Sequence, residues 1–146
     1  MRITKYRTEL VKEAAFNYEA TDAISAKQVN GILQAAFNAS ARPEEHIWQV
    51  CVNAKGRCVG LFELAAGSQT SCIVDPAGLI RNALLCNAYA FIMAHNHPSG
   101  DPTPSGEDIS STKRVQQAAD IIGIKLWDHV IIGDGSFCSL SEQGIM

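Results

Sequence analysis

Residues 95–108 read HNHPSGDPTPSGED. Two histidines stand one residue apart, and Ser105 and Asp108 follow beyond a turn rich in proline and glycine. If His95 and His97 end a strand, the i and i+2 positions share a face, and both imidazoles can aim at one point. Neutral imidazole is a common metal ligand and suits zinc. A catalytic zinc takes three protein ligands and leaves its fourth position to water. Asp108 is the candidate third ligand.

Each of these residues also has a plainer reading. Ser105 has the look of an N-cap, and an acid three positions later completes a capping-box-like start and complements the helix dipole. The two histidines could be hydrogen-bonding loop residues. The row Asp108, Ser111, Val115, Ala118 and Ile122 weighs the other way. It runs at steps of three and four, and its later members are apolar. That row turns Asp108 toward the core, where a carboxylate is costly unless it is paired or holds a metal.

A metal-dependent hydrolase also needs a base for its water. Glu63 lies in the middle of CVGLFELAAG, residues 58–67, with apolar residues on both sides. A carboxylate in a half-buried strand is unusual and points to a paired or catalytic role. The alternative is a solvent-facing place on a sheet with one wet face. The Ser105 hydroxyl, or the amides of the helix start, could stabilise a tetrahedral oxyanion, and capping is compatible with that role.

The elements around these residues are read from periodicity. Ser25–Gln28 is a capping-box pattern, followed by a helical stripe of Ala26, Val29, Leu33, Ala36 and Ser40 that ends before Pro43. HIWQVCVN at 46–53, CVGLFELAAG at 58–67 and QTSCIVD at 69–75 read as three strands of an antiparallel meander. Asp75-Pro76 opens a helix that runs to about Asn87. AYAFIMAH at 88–95 reads as a strand buried on both faces. A helix from Ser105 to Gly123, a strand at 125–132, a GDG turn and a short strand SFCSL complete the order. The order α-β-β-β-α-β-α-β-β fits an α/β domain: a mixed, largely antiparallel sheet with helices packed on it. Residues 1–20 form an N-terminal arm, helical or not, and residues 21–146 a single domain.

The chain has 146 residues, is 47% hydrophobic and carries a formal net charge of −3. That balance gives no support for electrostatic binding of nucleic acid, although Arg2, Lys5, Arg7 and Lys12 leave a local basic patch open. No apolar run is long enough to span a bilayer, and no signal peptide is evident, so no membrane is expected. Five cysteines without a CxxC read as free thiols in a reducing cytoplasm, each a small buried hydrophobe.

The constellation His95-x-His97, seven residues, Ser105, two residues, Asp108, with Glu63 upstream, resembles the JAMM motif of JAB/MPN metalloproteases. AHNHPSGDPTPSGEDISSTKRV followed by GIKLWDHVIIGDG is similar to RadC-like proteins, over roughly residues 45–140. The resemblance implies a stand-alone RadC-like domain, without the helix-hairpin-helix-like region, in a cytidine-deaminase-like fold. It implies zinc held by His95, His97 and Asp108, Glu63 as the base, and Ser105 assisting the tetrahedral intermediate. Asp128 and His129 also belong to the RadC-like pattern. His129 reads as a buried, hydrogen-bonded strand residue, with a contact behind the ligands or to substrate as the alternative. Asp101 reads as a turn former and His46 as a surface residue.

The function expected from all this is a zinc-dependent hydrolase that cleaves a peptide or isopeptide amide. The alternatives are a DNA-associated accessory protein or metal-dependent nuclease of the RadC type, and a non-catalytic interaction module. No phosphate cradle supports the nuclease, and the complete set of motif residues disfavours the module. A peptide or protein substrate is the expected partner, and a homo-oligomer stays open.

Overall fold

Helix α1 (Ala26–Phe37) begins where the sequence supplies a reciprocal cap. The Gln28 amide donates to the Ser25 hydroxyl at 3.2 Å, and the Ser25 amide donates to the Gln28 side chain at 3.1 Å. The helix ends at Asn38, whose φ of 52° lies in the left-handed region that Asn tolerates. Ala26, Val29, Ile32 and Leu33 form its buried stripe. The computed structural model describes residues 1, 3–19, 22–23, 25–67 and 74–146.

After α1 and a short 3₁₀ turn come β1 (His46–Val52), β2 (Cys58–Ala66), α2 (Pro76–Leu85) and β3 (Ala90–Asn96). They are followed by α3 (Gly106–Ile122), β4 (Lys125–Ile132) and β5 (Phe137–Ser139). The five strands make one sheet in the order β2-β1-β3-β4-β5. Only β3 and β4 run parallel, joined through α3, as a parallel pair requires a long connection. The other pairs are antiparallel.

Strands β1 and β3 are buried at all seven positions because helices cover both faces of the sheet. On one face, the α1 stripe packs on Trp48, Val50, Val52, Ile92, Ala94 and Val130. On the other, Leu79 and Ala83 of α2 and Val115 and Ala119 of α3 pack on Ile47, Cys51, Phe91 and Met93. The period of two sorts the chemistry between these faces. His95 pairs with Ile47 and His129 pairs with Met93, so both histidines lie on the α2–α3 face.

The structure bears on four of these readings. Residues 69–73 of the expected third strand QTSCIVD lie outside the described residues, as does Cys72, and β1 takes β3 as its second neighbour. Residues 3–18 are exposed and form neither helix nor strand. His46 is not a surface residue: it is 7% exposed and its ring stacks on Trp48 at 5.5 Å. The buried row of α3 is Thr112, Val115 and Ala119: it shares Val115 with the expected row, takes Thr112 and Ala119 in place of Ser111 and Ala118, and leaves Ile122 exposed. Of the described cysteines, all free, Cys51 and Cys138 are buried, Cys86 is half-buried and Cys58 is exposed. Among the described residues no helix is long and apolar enough to cross a membrane.

Leu33 is fully buried at the α1–sheet contact. Leu33→Ala is expected to lower stability by roughly 2–5 kcal/mol, and Ser25→Ala by about 1 kcal/mol. Urea unfolding of the two variants beside wild type checks both the values and their order.

Candidate metal centre

The centre is built where β3 ends and α3 begins. His95 lies in the last turn of pleat of β3, and His97 is held just beyond it by its amide, which donates to the Ile132 carbonyl at 2.9 Å. The His97 Nδ1–H donates to the Asp101 carbonyl at 2.8 Å, an oxygen that can only accept. A neutral His97 ring therefore presents the lone pair of Nε2 inward. Asp101 is the expected turn former: its side chain accepts from both the amide and the hydroxyl of Thr103. The turn is pressed against the β4–β5 loop. The Asp134 amide donates to the Gly100 carbonyl, and a Cβ on Gly133 would stand 2.3 Å from that oxygen. Only glycine fits there.

Asp108 does two jobs at once. Its amide donates to the Ser105 hydroxyl at 3.1 Å, and one of its carboxylate oxygens accepts from the Ser105 amide at 2.7 Å, so the capping box is complete. The same carboxylate faces both histidines. His95 Nε2 lies 3.2 Å from Oδ1, His97 Nε2 lies 3.3 Å from Oδ2, and the two Nε2 atoms are 3.0 Å apart. Ligand atoms on a tetrahedral zinc at about 2.0–2.1 Å stand about 3.3 Å from one another. The two nitrogens, and each nitrogen with its facing carboxylate oxygen, are thus already spaced close to that value. Two imidazole nitrogens and one carboxylate are also a donor set that suits zinc. Without a metal between them, the ring nitrogens can take up protons and donate to the carboxylate, and the titration of the groups follows from that. Burial opposes ionisation of Asp108, but hydrogen bonds from His95 and His97 hold it well below the usual carboxylate range. The Asp108 hydrogen bond in turn raises His97.

Glu63 does not join this cluster. It pairs with Trp48, whose side chain packs on the α1 side of the sheet. There Glu63 Oε1 accepts from Trp48 Nε1 at 3.2 Å and lies 2.7 Å from His46 Nδ1. Its placement at the histidines, expected from sequence, is corrected. The carboxylate beside the histidines is Glu45, with Oε1 3.8 Å from His95 Nε2. Glu45, His95 and His97 present ligand atoms that all lie within 4.8 Å of one another. Desolvation raises the Glu45 pKa. The signal for Glu45 was strand parity: residue 45 precedes Ile47 by two and falls on the same face.

Asn96, between the two histidines, anchors that carboxylate. Its side chain is buried on the opposite face, accepts from the His46 amide at 2.7 Å and donates to the Glu44 carbonyl at 2.9 Å. The segment that carries Glu45 is thus tied to the strand that carries His95. Behind His95 stands His129, 1% exposed, with Nε2 2.7 Å from His95 Nδ1 and Nδ1 2.6 Å from the Thr112 hydroxyl. Burial pushes the His129 pKa well below its ordinary value. Both sequence readings of His129 hold together: it is a buried strand residue, and it touches a candidate ligand. Asp128 is structural, accepting from the Ser139 hydroxyl and the Ser141 amide at the end of the chain.

The RadC-like JAB domain family profile matches residues 23–145. The chain is 39% identical over 133 residues to a UPF0758 protein of Moorella thermoacetica, covering 91% of this chain and 57% of that protein. It is 45% identical over 101 residues to a UPF0758 protein of Desulforudis audaxviator, covering 69% of this chain and 44% of the relative. The chain thus spans about half the length of the curated relatives it matches. The five-stranded, mostly antiparallel open sheet with three helices is consistent with a JAB fold. On the profile match, the identities and the fold together, the chain belongs to the RadC-like JAB domain family.

Proposed function

We propose that the chain is a zinc-dependent hydrolase that cleaves peptide or isopeptide amides, with His95, His97 and Asp108 as the metal ligands. The observation that carries this reading is the convergence of His95 Nε2, His97 Nε2 and the Asp108 carboxylate, with contacts of 3.0–3.3 Å and a second, partly buried carboxylate, Glu45, beside them. A zinc ion held there would polarise a carbonyl and lower the pKa of water toward neutrality. Glu45 then has the place of the general base: it takes a proton from the attacking water and returns it to the leaving amine. Burial favours its neutral form, which suits a group that must carry that proton between the two steps. The Ser105 hydroxyl accepts from the Asp108 amide, which leaves its own proton to donate outward to a developing oxyanion. The capping role and the catalytic role of Ser105 are therefore compatible.

The experiment is amide cleavage by the zinc-loaded protein on a panel of peptides and isopeptides, with and without chelator. Chelator is expected to abolish turnover. Asp108→Ala is expected to lose most of the bound zinc, measured by elemental analysis. Glu45→Gln is expected to keep zinc and lose about 10²-fold or more in kcat, the usual contribution of a positioned base. Glu63→Gln is expected to keep both zinc and turnover. If Glu63→Gln abolished cleavage while Glu45→Gln left it intact, the base would be Glu63. Metal-independent cleavage would refute the proposal.

A further inference from the structure

Thr112 and His129 are not among the proposed ligands, yet they contact His95 in series. The Thr112 hydroxyl donates to the Asp108 carbonyl at 2.6 Å and also lies 2.6 Å from His129 Nδ1. Two such short contacts need two protons, and the hydroxyl has one. A carbonyl oxygen has none to give. The Thr112 proton therefore goes to Asp108, and His129 Nδ1–H donates to Thr112. His129 is 1% exposed, and its ring nitrogens face a hydroxyl and another imidazole, so a charge there would be buried without a counter-ion. The ring is neutral, and its Nε2 carries a lone pair. The contact of 2.7 Å to His95 then takes its proton from His95 Nδ1. That leaves the lone pair of a neutral His95 on Nε2, aimed at His97 and Asp108.

We infer that Thr112, acting through His129, is a positioning residue that fixes the tautomer of His95 so that Nε2 is ready to bind a metal. The chain of hydrogen bonds starts at the backbone of Asp108 and returns to the point its carboxylate faces, so one helix turn sets both ligands. On the other side, the Asp101 carbonyl imposes the same tautomer on His97 by a single bond. Ligand histidines usually donate their second N–H to a carboxylate, a backbone carbonyl or water. Here a second imidazole, itself oriented by a hydroxyl, takes that place.

The inference rests on His95 serving as a metal ligand, as proposed above, but not on amide cleavage. The first test is the ¹⁵N–¹H correlation spectrum of the imidazoles in the metal-free full chain. His95 and His129 are both expected as Nδ1–H tautomers. The second is zinc titration against a competing chromophoric chelator, with zinc alone as the probe. Thr112→Val is expected to weaken zinc binding by about 10–100-fold, the usual effect of losing an outer-shell partner. Its His95 signal should move toward the Nε2–H form, and Thr112→Ser should restore both. An Nε2–H tautomer of His95 in the wild type would overturn the inference with no variant needed. So would a Thr112→Val protein with unchanged zinc affinity. Wild type that binds zinc with the expected tautomers but cleaves no amide would refute the proposed function and leave this inference standing.

Discussion

Two imidazole nitrogens stand 3.0 Å apart on this protein, and each faces a different oxygen of one carboxylate at 3.2–3.3 Å. Such an arrangement is repulsive unless a positive charge shares it, and much of the surrounding structure keeps it from relaxing. His97 cannot turn away without losing the Asp101 carbonyl, and His95 cannot without losing His129. Asp108 cannot retreat without opening the cap of α3. The cluster is therefore preorganised by backbone: a strand end, a tight turn and a helix start, each secured by its own hydrogen bonds.

The sheet explains how a short chain achieves this. The parallel pairing of β3 and β4 forces a crossover, and that crossover is α3, so the N-terminus of α3 returns close to the end of β3. Strand parity then divides the residues. His95 and His129, with the Glu45 segment, lie on the face covered by α2 and α3. Glu63, His46 and Trp48 form a separate hydrogen-bonded group on the other face. Glu45 and His46 adjoin in sequence, yet they belong to groups on opposite faces of the sheet.

Local signals were legible in the sequence where a few residues decide the outcome. The two capping boxes, the fully buried β3 run and the His95-x-His97 spacing all appear in the structure at the expected places. Asp108 was read as either a cap or a ligand; the structure shows the cap, with the same carboxylate facing both histidines. Non-local signals were not legible. Glu63 looked catalytic because it interrupts an apolar strand, but its partner across the sheet, Trp48, decides which face it joins. Thr112 was missed because the inward row of α3 was drawn from Asp108 to Val115 through Ser111, and the buried row passes through Thr112 instead. Steps of three and four both keep a residue near one face of a helix, so the spacing alone did not choose between these neighbours. His46 looked like a surface residue beside two glutamates, yet stacking on Trp48 and a bond to Glu63 draw it inside.

The most direct test of the central claim is zinc K-edge X-ray absorption on the loaded protein, with zinc stoichiometry measured on the same sample. The expected result is one zinc per chain in a four-coordinate shell of light atoms at about 2.0 Å, with outer-shell scattering from two imidazoles. A six-coordinate shell without imidazole scattering would contradict the account, as would failure of the wild-type chain to take up zinc at all.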